Sequence, residues 1–126
     1  MKMKRIALLM ACLLMATVLL TACSAGNPTG SWVLTNVKND DTQEWGELLS
    51  EISAAGGAIT ANITSSNVTI EMEYYGYVEE MMSFSYYQRG DRMIDPSDDT
   101  EVTFKLSGDT LTLYFADCDL VFTKAD

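Results

Sequence analysis

The sequence predicts a mainly β domain: an antiparallel up-and-down meander of about eight strands, closing into a small barrel, with one helix between strands 1 and 2. Three observations predict it. Everything after Gly57 falls into short segments rich in β-branched and aromatic residues, separated by turn residues. The apolar period lengthens to that of a helix in one stretch, before Gly57. The last three strands can be paired so that their apolar positions share one face. Eight meandering strands with one apolar face remove their exposed edges by closing.

The first strand is "GSWVLTNV", Gly30 to Val37, and "KNDD" turns the chain. In "DTQEWGELLSEISAAGG", Trp45, Leu48, Leu49 and Ile52 recur at i, i+3, i+4 and i+7 and form one helical face. Asp41 is the expected N-cap, with Glu44 as its capping-box partner, and Gly56 and Gly57 are the stops. "AITANIT" follows as a strand, then "SSN" as a turn. "VTIEMEY" alternates, with Val68, Ile70, Met72 and Tyr74 on one face and Thr69, Glu71 and Glu73 on the other. Gly76 bends the chain into "EMMSFSYYQ", where Met82, Phe84 and Tyr86 share a face. A turn at Arg89-Gly90-Asp91 leads to a short strand through Met93 and Ile94. With a two-residue turn at Gly108-Asp109, Leu106 opposes Leu111 and Phe104 opposes Leu113. A turn at Asp117-Cys118 would then set Phe115 against Leu120 and Leu113 against Phe122.

The chain opens with Lys2, Lys4 and Arg5, then an apolar run from Ile6 to Leu20, shorter than the roughly 20 residues a bilayer span needs. The run closes on Leu20-Thr21-Ala22-Cys23, which resembles the lipobox of bacterial lipoproteins. That resemblance implies a signal peptide over residues 1–22, diacylglyceryl transfer to the Cys23 thiol, and cleavage that leaves Cys23 first. The diacylglyceryl group brings two acyl chains, palmitate among those expected, and two chains hold a protein where one holds it marginally. Residues 23–29 then form the lipidated Cys and a short tether, and 30–126 the barrel domain. The expected location is the extracytoplasmic side of the cell membrane. In a two-membrane cell, Ser24 after the Cys implies the outer membrane, since the Asp that signals retention is lacking.

Without residues 1–22 the chain carries five Lys and Arg against 18 Asp and Glu, a net charge of −13. Such a surface repels nucleic acid, so no nucleic-acid partner is expected. Cys118 becomes the one thiol besides Cys23, leaving no intramolecular disulfide. The sequence has no histidine, and so lacks the usual general base and the commonest zinc ligand. No nucleophile–base pair or phosphate loop is visible, and neither catalysis nor a cofactor is expected.

Gly30-Ser31-Trp32, followed by the closing "FKLSGDTLTLYFADCDLVFTKA", resembles the small bacterial lipocalin-like lipoproteins. The resemblance covers roughly residues 29 to 125. It implies a lipocalin-like barrel with Trp32 packed at the closed end and a small apolar or amphipathic ligand in the mouth. The sequence departs from the pattern in its shortness, which favours a filled interior, and in having Lys124 where an Arg would cover Trp32.

Three groups are candidate sites. Met72, Tyr74, Met82, Phe84, Tyr86 and Met93 form a soft, partly aromatic set that either lines a ligand pocket or packs as core. Asp95, Asp98, Asp99 and Glu101 form an acidic loop that is either solvated or a Ca²⁺ site, without EF-hand spacing. Tyr75, Tyr77 and Tyr87 point away from their neighbours and suit contact with another envelope protein. The ligand reading and the envelope-partner reading both remain open.

Overall fold

The computed structural model describes residues 26–125. The expected signal peptide and Cys23 lie outside them. Nine strands form one antiparallel sheet: β1 (Gly30–Lys38), β2 (Ala58–Ile63), β3 (Asn67–Tyr74), β4 (Tyr77–Ser85), β5 (Tyr87–Arg89), β6 (Arg92–Ile94), β7 (Glu101–Ser107), β8 (Thr110–Tyr114) and β9 (Asp119–Lys124). One helix, α1 (Glu44–Ala54), lies between β1 and β2. The sheet order is β4-β3-β2-β1-β9-β8-β7-β6-β5. Each strand pairs with its neighbour in sequence, β4 and β5 excepted, and β1 pairs with β9. The two ends of the sheet, β4 and β5, are separated by Tyr86 alone. They are two halves of one bent strand, the first paired with β3 and the second with β6. The expected meander of about eight strands is therefore present as a nearly closed barrel, its strand count raised by the break at Tyr86.

The break is held from both sides of the residue. The Tyr86 amide donates to the Ser66 carbonyl at 3.0 Å, and its hydroxyl donates to the Thr64 carbonyl at 2.6 Å. Its ring is buried, so the hydroxyl satisfies the one polar atom the side chain takes inside.

The inner face is filled. Phe104, Phe122, Ile59, Ile70, Met93, Leu111, Leu113, Leu120 and Val68 are fully buried, and the whole core lies within residues 32–122. The described residues thus hold a core of their own. On α1 the expected face is correct: Ile52 is buried, and Trp45, Leu48 and Leu49 pack against the core. The helix leans on β1, β2 and β3 at the end of the barrel we call upper.

Two local expectations are corrected. Asp41 does not cap α1. Gln43 takes a left-handed conformation (φ 65°), which aims the preceding loop so that Asp40 Oδ2 accepts from the Gly46 amide at 2.8 Å. The stop is as read: Gly56, at φ 79°, donates to the Ser53 carbonyl and Gly57 to that of Ile52, a Schellman ending. The Gly108-Asp109 turn sets Leu106 against Leu111 and Phe104 against Leu113, as expected. The next register is displaced by two residues: Leu113 faces Leu120 and Leu111 faces Phe122. Residues 115–118 form a four-residue loop in place of a tight turn. An even shift keeps every side chain on its own face, so the apolar pattern fits both registers.

At the lower end, the indole N–H of Trp32 donates to the Pro28 carbonyl at 2.9 Å, and Lys124 Nζ stands 4.7 Å from the ring centroid. A Cβ on Gly30 would lie 2.6 Å from that ammonium, so the glycine two residues before Trp32 leaves room for its cover. Gly26–Thr29, read as tether, lies on this end: Pro28 is fully buried, and Gln88 Nε2 donates to the Gly26 carbonyl at 2.9 Å.

Truncating Phe122 to Ala should cost about 3–5 kcal/mol in urea unfolding of residues 24–126, whereas Lys105→Ala on the outer face of β7 should stay within about 0.5 kcal/mol.

Candidate functional site

Two strands depart from simple alternation, with opposite consequences. In β1 the register with β9 shifts between Leu34 and Asn36. Strict alternation after Trp32 and Leu34 would turn Asn36 inward; the bulge at Thr35 sets Val37 opposite Leu120 instead and keeps the inner face apolar. In β4 the register with β3 shifts between Ile70 and Glu71, which pairs Ile70 with Met82 and Glu71 with Glu80. Met81 is the extra residue. Beyond it Glu79 faces Met72, and Tyr77 faces Tyr74. Residues directly opposite share a face, so Glu79 and Tyr77 are on the inner face of upper β4, while Val78 is turned out and 61% exposed. Glu71 and Glu80 stand side by side on the outer face, an unfavourable like-charge pair.

The Met and Tyr set divides accordingly. Met93 and Tyr86 are buried in the filled core; they pack and line nothing. Met72, Tyr74, Met82 and Phe84 face inward yet are only half-buried, as is the bulged Met81. The reason is positional. They sit on β3 and β4, and the outer edge of β4 has no strand beside it among the described residues. Trp45, Leu48 and Leu49 of α1 are half-buried against the same core. The sequence marked four of the half-buried strand residues. It missed Glu79 and read Tyr77 as pointing outward; the bulge sets both on the inner face, with Tyr77 still largely exposed.

Two clefts flank the helix. One, of about 250 Å³, lies between the end of α1 and the β3–β4 turn, lined by Gly56, Gly57, Ala58, Glu73, Tyr74, Tyr75 and Gly76. The other, of about 530 Å³, lies on the outer side of α1 and is lined by Val37, Asp40, Gln43, Gly46, Glu47, Ser50 and Glu51. The second is larger, carries the carboxylates of Asp40, Glu47 and Glu51, and opens broadly to solvent. The first includes Tyr74, one of the half-buried set. The β3–β4 turn itself is Tyr75-Gly76, both at positive φ (51° and 80°), and leaves Tyr75 76% and Tyr77 71% exposed. The rings of Tyr74 and Tyr75 meet edge to face at 6.0 Å.

The acidic loop uses its own carboxylates. Asp95 Oδ1 accepts from the Ser97 amide and hydroxyl, at 2.9 and 2.7 Å. Asp98 Oδ1 accepts from the Thr100 amide at 3.0 Å, and Glu101 pairs with Arg92 at 3.1 Å. The hydrogen bond from the Thr100 amide, then that from its hydroxyl, lowers the Asp98 pKa. Asp99 adopts φ 60°. Among the described residues, no three Asp, Glu, Cys or His side chains converge as a metal site.

Cys118 is buried, and its thiol is pushed up to about 11, first by desolvation and then by the charges of Asp117, Asp40 and Asp119. A thiolate is disfavoured there, so the side chain is a packing group.

No protein-family model and no curated protein matches the chain. Among solved structures it is similar to a REP1-NXSQ fatty acid transporter (15% identity, TM-score 0.42, covering 78% of this chain and 96% of that one). It is also similar to a Schistosoma mansoni fatty acid binding protein in complex with arachidonic acid (13%, 0.41, 82% and 99%). A third likeness is to a mutant of the fluorescent protein UnaG (14%, 0.39, 78% and 96%).

Alkylation of Cys118 by iodoacetamide at pH 8 should be at least about a hundredfold slower in the native domain than in urea. Because the folded thiol keeps its proton longer than the unfolded one, its contribution to stability is whole below the ordinary value near 9 and is lost as pH rises towards about 11. A Cys118→Ser domain should lose less stability over that window than the parent.

Proposed function

We propose that this chain is an exported lipoprotein, anchored through a diacylglyceryl group on Cys23. Its barrel takes up a small apolar or amphipathic molecule along the inner face of the β3–β4 hairpin, from Tyr74 and Met72 at the upper rim to Met82 and Phe84 towards the lower end. One observation carries the ligand reading: these inward-facing side chains are half-exposed beside an unpaired strand edge, while the deeper inner face is fully buried. A ligand there would recover apolar surface that the fold leaves wet. Because the deeper interior is filled, the molecule lies along the edge of the sheet and does not thread the barrel. Methionine suits such a site, since its unbranched side chain re-packs around different shapes. The anchor rests on the basic start, the length of the apolar run and the lipobox.

A second reading has its own observation. Tyr75, Tyr77, Val78, Tyr87 and Tyr114 are the large apolar side chains left exposed, and three of them crowd the β3–β4 turn. Tyrosines in this setting suit a contact with another envelope protein.

Native mass spectrometry of residues 24–126, purified gently, separates the two readings. The ligand reading expects a reproducible extra mass that is lost on denaturation; a bare mass that stays bare after incubation with a lipid extract gives the surface reading the weight. Replacing Tyr75 and Tyr87 by Ser should leave ligand uptake intact and abolish capture of a partner if the surface reading holds. Metabolic labelling with palmitate should mark the full chain, and Cys23→Ser should abolish the label and release the domain from membranes.

A further inference from the structure

The rim is predominantly negative. From Asn39 to Gln88 the chain carries no Lys or Arg, against nine Asp and Glu: Asp40, Asp41, Glu44, Glu47, Glu51, Glu71, Glu73, Glu79 and Glu80. That span contains α1, β2, β3 and β4, every element around the half-buried set. Of the five cations of the described residues, only Lys38 is at the upper end, where it ends β1 on the outer face; the other four are placed elsewhere. Lys124 covers Trp32 at the lower end, Arg92 pairs with Glu101, and Arg89 lies 6.0 Å from the centre of the Tyr87 ring. Lys38 is opposite Asp119, and Lys105 is opposite Thr112 on the outer face.

The strand β4 adds a position to this charge. Two adjacent glutamates in a strand point to opposite faces, so Glu79-Glu80 must turn one carboxylate inward whatever the register. The bulge at Met81 selects Glu79, sets it opposite Met72, and brings Tyr77 opposite Tyr74. The inner face of the β3–β4 hairpin therefore runs from apolar Phe84 and Met82, near the β2–β3 turn, to Met72 and the Glu79 carboxylate opposite it, with Tyr77 and Tyr74 paired one step beyond. A chain-like molecule lying on it would place its apolar part on the methionines and its polar end at Glu79.

We infer that the ligand of this site is an amphiphile with a positively charged head, of the alkylamine or quaternary ammonium class, recognised by Glu79 with Tyr74 and Tyr77 beside it. The inference rests on the reading of the rim as an apolar binding site. An anionic amphiphile would meet no facing cation and the Glu79 carboxylate within a negative surround; a cationic one meets that facing charge, with phenol rings nearby.

Titration calorimetry with decyltrimethylammonium, decyl maltoside and decanoate, each below its micelle concentration, tests the class on residues 24–126. We expect the ammonium to bind about tenfold tighter than decanoate at low salt, with the maltoside between them and the gap narrowing as salt screens it. Glu79→Gln should weaken the ammonium about two- to fivefold, as for an exposed ion pair, and leave the maltoside unchanged. Glu80→Gln, on the outer face, is the control and should change the ammonium affinity less. Decanoate binding as well as the ammonium would overturn the charge assignment and leave the rim as a site. An unchanged preference in Glu79→Gln would overturn the role of Glu79. Binding of none of the three would overturn the site itself.

Discussion

The pairing of β1 with β9 is the constraint on which the rest of the domain depends. It joins the two ends of a 100-residue meander, turning a sheet with one apolar face into a barrel with an inside. Because those strands meet, Trp32 faces Lys124 and Leu34 faces Phe122, and the largest core residues are brought together from distant parts of the chain. Few contacts along the meander are so non-local, and the entropy of closing so long a loop must be offset by the burial it permits. The other two ends, β4 and β5, need no such closure. They are adjacent in sequence, and the two hydrogen bonds of Tyr86 hold the corner where one strand exchanges partners.

The parts legible in the sequence are those with a unique local signal. The α1 face, its Gly56-Gly57 stop, the alternation of β3 and the Gly108-Asp109 hairpin each have one physical solution, and the structure adopts it. The illegible parts share a different property. Asp40-Asp41, Glu79-Glu80 and Met81-Met82 are doublets, and a doublet reads the same after a slip of one residue. The helix cap moved from Asp41 to Asp40, and the β4 bulge hid behind two methionines and two glutamates, for this reason. The β8–β9 register escaped through the complementary ambiguity, a shift of two, which alternation does not register and a four-residue loop without Gly does not pin. Within the candidate site, Met72, Tyr74, Met82 and Phe84 were visible as a set. Nothing local told them apart from Tyr86 and Met93, because the difference is made by the unpaired edge of β4, a property of the whole sheet.

The two bulges show how a single extra residue can serve opposite ends. At Thr35 it preserves the core, bringing Val37 in where Asn36 would have fallen. At Met81 it leaves Val78 in water and sets Glu71 beside Glu80. The first is explained by stability alone. The second is locally unfavourable on the outer face, and such arrangements are found where a strand aims a side chain at a site.

The packing of Gly26–Thr29 on the lower end of the barrel also has a geometric consequence for the proposed anchor. Only Ser24 and Ala25 stand between Cys23 and the first packed residue, a covalent reach of about 10 Å. A lipid on Cys23 would hold the domain on a short leash by its Trp32 end. The rim of tyrosines and carboxylates would then point outward, a strand's length from the bilayer. The molecules it meets first would be those dissolved in, or carried across, the aqueous compartment, and not the lipids of the membrane that holds it.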